Sequence, residues 1–213
     1  MKVVALNGSP RKKWNTAQLL DAALIQAQQE GHETELIHLY DYKYSGCRSC
    51  FACKKINALK PAKCIIQDDA TQLLEKVLQS DVVLFGSPIY FSSMTAQMQA
   101  FMERLWFPSL NYNKEHTVNY ERKLVCGIVF TMNGTEKIYK DVCESYRERT
   151  DRLVGPTESF IAEDTMQFSD YSKYVSTMFD ANHKIERYKK ALPQQKKDIA
   201  EWMHGLLHKA ANK

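Results

Sequence analysis

Three stretches of the chain carry residues whose types and spacing could do chemistry. The first is Asn7-Gly8-Ser9-Pro10-Arg11, followed by Lys12, Lys13 and then Asn15-Thr16. Small, hydroxyl and basic residues leading into N-cap residue types make an anion site. Free backbone N–H groups and the positive end of a helix dipole would face the loop. Phosphate is the expected ligand; the plainer alternative is an ordinary turn with a solvated basic edge. The loop matches neither G-x-G-x-x-G nor G-x-x-x-x-G-K-S/T, which disfavours a dinucleotide fold or a P-loop ATPase. The second stretch is Gly86-Ser87-Pro88-Ile89-Tyr90-Phe91. Its aromatic pair stands in a loop, where large apolar side chains have no packing duty and suit a flat ligand. The third holds Cys47, Cys50, Cys53 and Cys64 amid basic residues. Two successive C-x-x-C spacings suit a cubane iron–sulfur cluster. A zinc site with four cysteine ligands would use the same thiolates, and four reduced thiols shaping a loop is the third reading. No side chain stands out as an obligatory acid or base. His32 and His38 read as surface or packing residues, and Cys126 and Cys143 as small core residues.

These groups need a scaffold, and the apolar pattern supplies one. Val3–Leu6 and Val82–Phe85 are unbroken apolar runs, the mark of strands buried on both faces of a parallel sheet. Leu124–Phe130 reads the same way, with Thr34–Leu39 and Ser159–Ala162 as weaker strands. Between them lie helical patterns: Ala17 to about Glu30 with Gly31 as its stop, Leu73–Leu78 behind an Asp68 or Asp69 cap, Met94–Leu105, and a segment ending near Leu153. Residues 40–69 leave room for a helix to start within them, and 107–120 read as a polar, aromatic connection. From about residue 182 the chain is an amphipathic helical extension, with a break expected at Pro193. Alternating strands and helices predict a doubly wound α/β sandwich, one domain over 1–213, with a five-stranded parallel sheet in the order 2-1-3-4-5. That order would set the loops after the first and third strands around one crevice, with Thr131-Met132-Asn133-Gly134 beside it.

Composition narrows the class. A chain of 213 residues with 44% hydrophobic and 25% charged residues is ordinary for a globular protein. The net charge of +4 comes from scattered lysines, with no basic face to suggest nucleic acid, and no apolar run is long enough for a membrane span. The chain opens directly into a strand without a secretory signal, so the expected compartment is the cytoplasm. Six cysteines there are expected to be reduced thiols or ligands.

Taken together, Asn7-Gly8-Ser9-Pro10-Arg11 with Asn15-Thr16, and Gly86-Ser87-Pro88-Ile89-Tyr90-Phe91, resemble the NAD(P)H-dependent FMN reductase group of the flavodoxin-like superfamily. Cys47, Cys50, Cys53 and Cys64 followed by Asp68-Asp69 look like its iron–sulfur flavoprotein branch. The resemblance covers most of residues 1–135. It implies bound FMN, NAD(P)H as co-substrate, and a homodimer or larger homo-oligomer. By position, Ser9, Arg11, Asn15 and Thr16 would hold the FMN phosphate. Ser87, Pro88, Ile89, Tyr90 and Phe91 would line the isoalloxazine ring, partly through backbone amides, and Thr131, Met132, Asn133 and Gly134 would close its other side. The implied activity is hydride transfer through FMN to a quinone, nitro compound, flavin or metal chelate, with chemistry on the flavin and no catalytic side chain. The alternative is an iron–sulfur flavoprotein or flavodoxin-type electron carrier serving protein partners, with the four cysteines as ligands of a 4Fe–4S cluster. Two departures stand out. Many relatives have a small residue where this chain has Trp14, and the gap from Cys53 to Cys64 is longer than the family's usual one.

Overall fold

The computed structural model describes residues 1–56, 63–120 and 124–213. Five strands, β1 (Lys2–Asn7), β2 (Glu33–His38), β3 (Val82–Pro88), β4 (Val125–Thr131) and β5 (Thr157–Ala162), form one parallel sheet in the order β2-β1-β3-β4-β5. This is the flavodoxin-like order expected from the sequence. Helices α1 (Asn15–Gln29) and α5 (Ala181–Ala211) cover one face. Helices α2 (Asp69–Gln79), α3 (Ala96–Ser109) and α4 (Glu136–Leu153) cover the other. Strand alternation divides the core accordingly: Val3 and Ala5 of β1 pack toward α1, while Val4 and Leu6 pack with α2 and α3. All four are fully buried, which is why the run reads as continuously apolar.

Several boundaries differ from the sequence reading. Asn15 and Thr16 are not the cap of α1 but its first turn; Trp14 occupies the cap position without a side-chain cap bond. Helix α3 continues through Pro108 to Ser109, so the connection starts later than expected. Among the described residues of 40–68 there is no α-helix, only 3₁₀ turns at Leu39–Asp41 and Ala52–Lys54. Residues 57–62 of that stretch lie outside the described residues. The break at Pro193 is absent, and α5 passes through it without ending. Proline removes one backbone bond at a cost of about 3 kcal/mol, but both halves of α5 are anchored. Lys184 donates to the Asn133 carbonyl at 3.0 Å, and Ile199, Met203, Leu206 and Leu207 are buried on the sheet.

The cysteine segment is held by α3. Glu103 accepts the Cys47 N–H at 3.1 Å, and the Lys54 ammonium donates to the carbonyls of Phe107, Pro108 and Leu110 at the helix C-terminus. Arg104, with its side chain 0% exposed, donates through Nη1 to both oxygens of Asp68 at 2.5 and 2.6 Å and through Nη2 to the Ile66 carbonyl at 2.8 Å. Asp68 meanwhile closes a capping box with Thr71 at the start of α2. Breaking a buried ion pair from one side costs about 3–5 kcal/mol because the other charge is left uncompensated. Arg104→Met should therefore lower unfolding stability by about that amount in urea titration. A change below ~1 kcal/mol, the scale of an exposed pair, would show that Arg104 does not hold this segment.

Candidate functional site

The first loop is built by its own side chains. Asn7 ends β1, and its Oδ1 accepts the Ser9 N–H at 3.0 Å; Ser9 Oγ in turn accepts the Arg11 N–H at 3.1 Å. These two local bonds curl the chain toward the N-terminus of α1. The second loop meets it directly: the Gly8 N–H donates to the Gly86 carbonyl at 2.7 Å, and the Thr95 hydroxyl donates to the Gly8 carbonyl at 2.6 Å. A side chain would crowd either position. A Cβ on Gly8 would lie 2.8 Å from Met98 Cβ, and one on Gly86 would lie 2.6 Å from Leu20 Cδ1. Beyond Pro88, Tyr90 and Ser93 exchange backbone hydrogen bonds across Phe91 and Ser92, whose φ angles are 49° and 58°. This is a turn with both central residues left-handed.

A crevice of about 240 Å³, open to solvent, joins the loops after β1, β3, β4 and β5. That is somewhat below the roughly 300–1,000 Å³ usual for enclosed small-ligand pockets, as expected of a cleft that leaves part of a ligand in solvent. Ser9, Arg11, Asn15, Thr16, Pro88, Ile89, Tyr90, Thr131, Met132 and Asn133 all line it. Three residues expected there are not among its lining. Ser87 is buried and frames the turn, donating to the Pro88 carbonyl at 2.9 Å and accepting the Thr95 N–H at 3.0 Å. Phe91 projects into solvent, and the Gly134 carbonyl accepts the Asp164 N–H at 2.9 Å. Two of the backbone amides expected to face a ring are also spent within the protein. Ile89 N–H donates to the Thr131 carbonyl at 2.9 Å and Tyr90 N–H to Ser93 at 2.8 Å, because strand pairing and turn closure claim them first.

Trp14 and Thr165–Phe168 line the crevice as well, and the sequence reading missed them. Nothing in the residue types Thr-Met-Gln-Phe marks a ligand. The fold rule does, since a loop after β5 must emerge at the same carboxyl edge of the sheet. Electrostatically the end of the crevice at the first loop is cationic. The Arg11 guanidinium stacks 3.9 Å above the Trp14 ring, and burial pushes the Tyr90 phenol up, with Tyr40 adding and Arg11 opposing. Tyr90 therefore stays a neutral hydrogen-bond donor at neutral pH. Thr16 and Thr131 share a hydroxyl contact of 2.8 Å across the floor. Asn15 Oδ1 and Asn133 Oδ1 are buried acceptors without a partner among the described residues. A buried unsatisfied polar atom costs about 1–3 kcal/mol, so both favour a ligand that brings donors.

Residues 1–152 match the NADPH-dependent FMN reductase family. The chain belongs to that family. Similar proteins include an iron–sulfur flavoprotein of Archaeoglobus fulgidus, 38% identical over 105 residues, covering 49% of this chain and 46% of that protein. An iron–sulfur flavoprotein of Methanocaldococcus jannaschii is 39% identical over 104 residues, covering 49% and 51%. The chain thus spans about half the length of the curated relatives it matches. Among solved structures, the azoreductase AzrA superposes with a TM-score of 0.69 at 12% identity over 95% of this chain and 99% of that one. An NAD(P)H:quinone oxidoreductase from Methanothermobacter marburgensis gives 0.66 at 17% identity over 95% and 96%. At those identities the likeness is one of fold. FMN is the cofactor that goes with this family, and the crevice fits it chemically. A phosphate suits the cationic end, while ribityl hydroxyls and the flavin N–H offer donors to Asn15 and Asn133.

Cys47, Cys50, Cys53 and Cys64 line one small cavity together with Arg104 and Phe107. Left-handed backbone at Ser49 and Phe51, φ 51° and 54°, bends the run around it. All four are free thiols, and burial pushes the Cys53 thiol up while Lys54 opposes. Among the described residues, no three His, Cys, Asp or Glu side chains stand close enough to hold a metal ion as placed. The donor chemistry and the shared cavity suit a cluster, but the ligand set is not closed.

The remaining cysteines are core residues, as expected. Burial pushes the Cys126 thiol up to about 12 and the Cys143 thiol up to about 11. Since the thiolate is the nucleophile, alkylation by iodoacetamide at pH 7.5 should leave both unmodified in the folded protein while exposed Cys50 reacts. Mass spectrometry showing Cys126 or Cys143 labelled before Cys50 would contradict the burial described.

Proposed function

We propose that this chain is an FMN-dependent oxidoreductase that takes reducing equivalents from NAD(P)H and delivers them to a small acceptor such as a quinone, nitro compound, flavin or metal chelate. The observation that carries the reading is the crevice joining the Ser9–Thr16 anion loop to the Pro88–Tyr90 turn. Family membership supports it independently. FMN, when bound, would supply the redox chemistry between a nicotinamide and the acceptor. The protein's residues bind and orient. Arg11 and the first turn of α1 neutralise the phosphate, with Ser9 and Thr16 as hydroxyl partners. Pro88, Ile89 and Tyr90 form an apolar wall for the ring, and Asn133 offers an acceptor to its N–H on the far side. Exposed Phe91 at the rim is free to meet a second copy of the chain or the acceptor. No helix is long and apolar enough among the described residues to cross a membrane, and a cytoplasmic homo-oligomer is the setting we favour.

The test is spectroscopic. Purified protein should be yellow, and NADH or NADPH should bleach it anaerobically. Arg11→Ala should weaken FMN binding by roughly one to two powers of ten, since a hydrogen bond to a charged group is worth about 1.5–3 kcal/mol. Unchanged FMN affinity in that variant would remove Arg11 from the phosphate site, and a colourless protein that takes up no FMN would refute the function.

A second reading is favoured by one observation, the four cysteines around a common cavity. Here Cys47, Cys50, Cys53 and Cys64 would hold a 4Fe–4S cluster passing electrons between a protein donor and FMN, as the names of the curated relatives suggest. The net charge of +4 argues against a free-standing acidic carrier of the flavodoxin type. Anaerobically prepared protein should then be brown, with stoichiometric iron and sulfide lost in Cys50→Ser. Iron-free protein with full NAD(P)H turnover would leave the thiols as a structural feature.

A further inference from the structure

Trp14 stands at the cap position of α1 and residues 165–168 lie beyond the 1–152 match, yet the two meet at one end of the crevice. The Trp14 indole N–H donates to the Met166 carbonyl at 3.0 Å. Asn15 Nδ2 donates to the same carbonyl at 2.9 Å, and Arg11 Nη1 donates to the Gln167 carbonyl at 2.6 Å. These donors are not equivalent. Arg11 has five N–H groups and Asn15 two, so each keeps capacity for a phosphate. Trp14 has one, and it is committed to the strap.

The strap itself is tethered on both sides. Thr165 donates through its N–H and its hydroxyl to the Met132 carbonyl, at 2.9 and 3.0 Å. The Gln167 N–H donates to the hydroxyl of buried Tyr171 at 3.2 Å, and Phe168 stacks on Tyr174 with centroids 4.2 Å apart. What crosses the phosphate end is therefore ordered backbone whose carbonyl oxygens point at the anion loop.

We infer that Trp14 is a specificity-determining residue that anchors the 165–168 strap across the phosphate end, so that the crevice admits flavin mononucleotide and excludes flavin adenine dinucleotide. The inference rests on the FMN reading and deepens it. A mononucleotide ends at its phosphate, which the remaining Arg11 and Asn15 donors can take. The dinucleotide continues from that same phosphate into a second one and an adenosine. That continuation meets the backbone at Met166 and Gln167, and the carbonyl oxygens there repel a second anionic group.

The experiment is a pair of titrations, FMN and FAD, on the full chain, read by quenching of flavin fluorescence. The unaltered chain should prefer FMN by at least about 100-fold, the scale of one lost charge-assisted contact plus a steric block. Trp14→Phe keeps the ring but loses the N–H; it should cut that preference by about tenfold and speed FMN release. Tyr171→Phe, on the strap side, should move the ratio the same way, which keeps the inference testable if the first variant misfolds. An FMN-to-FAD ratio within twofold of the original in both variants, with FMN still bound, would overturn the role of Trp14. Equal affinity of the unaltered chain for both flavins would overturn the exclusion. Failure to bind either flavin would instead refute the FMN reading itself.

Discussion

The hydrogen bond from the Gly8 N–H to the Gly86 carbonyl, 2.7 Å long, is the constraint on which the rest of this molecule depends. It joins the carboxyl ends of β1 and β3, neighbours in the sheet that lie far apart in the chain. Their following helices leave on opposite faces, so the loops part just beyond this bond and a crevice must open there. Absent side chains make it possible: a Cβ on either glycine would strike Met98 or Leu20. Two helices, α1 and α3, are thereby allowed close to the strand ends, and their N-termini frame the same space.

Helix α3 then couples two parts of the structure that the sequence keeps separate. At its N-terminus, Thr95 caps the helix and holds the Gly8 carbonyl. Toward its C-terminus, Glu103 and Arg104 fasten the cysteine segment at Cys47, Ile66 and Asp68. Thr95 and Arg104 are nine residues apart, about 13 Å along a helix axis. The crevice of an FMN reductase family member and a cavity ringed by four thiols thus share one rigid support. Burying a guanidinium for this purpose is costly unless every N–H finds an acceptor; Asp68, Ile66 and Ser45 supply most of them, and Nε is left over.

What could be read in advance follows the range of the forces involved. The strands were legible because burial on both faces forces a continuous apolar run, as in Val3–Leu6. Asp68 was legible as a cap because capping acts within three residues. Asn15 and Thr16 carried the right residue types for a cap but serve otherwise, bonding to Met166 and Thr131 from distant loops. Pro193 misled for the complementary reason: its local penalty is real, but contacts made by α5 to the sheet and to Asn133 and Asp164 outweigh it.

By itself, then, the sequence determined the strands and the loops that end β1 and β3, since periodicity and small turn residues express interactions between near neighbours, and general fold rules turned those strands into the observed order. Only the tertiary structure decided that the Trp14 indole N–H meets the Met166 carbonyl, that Ser87 frames the β3 turn instead of lining the crevice, and that residues 165–168 form the fourth side of the crevice. The first and last of those outcomes depend on partners some 150 positions away along the chain, and the second on how α3 returns to the end of β3. A backbone carbonyl, the acceptor in several of them, is the same in every residue and leaves no mark in the order of side chains.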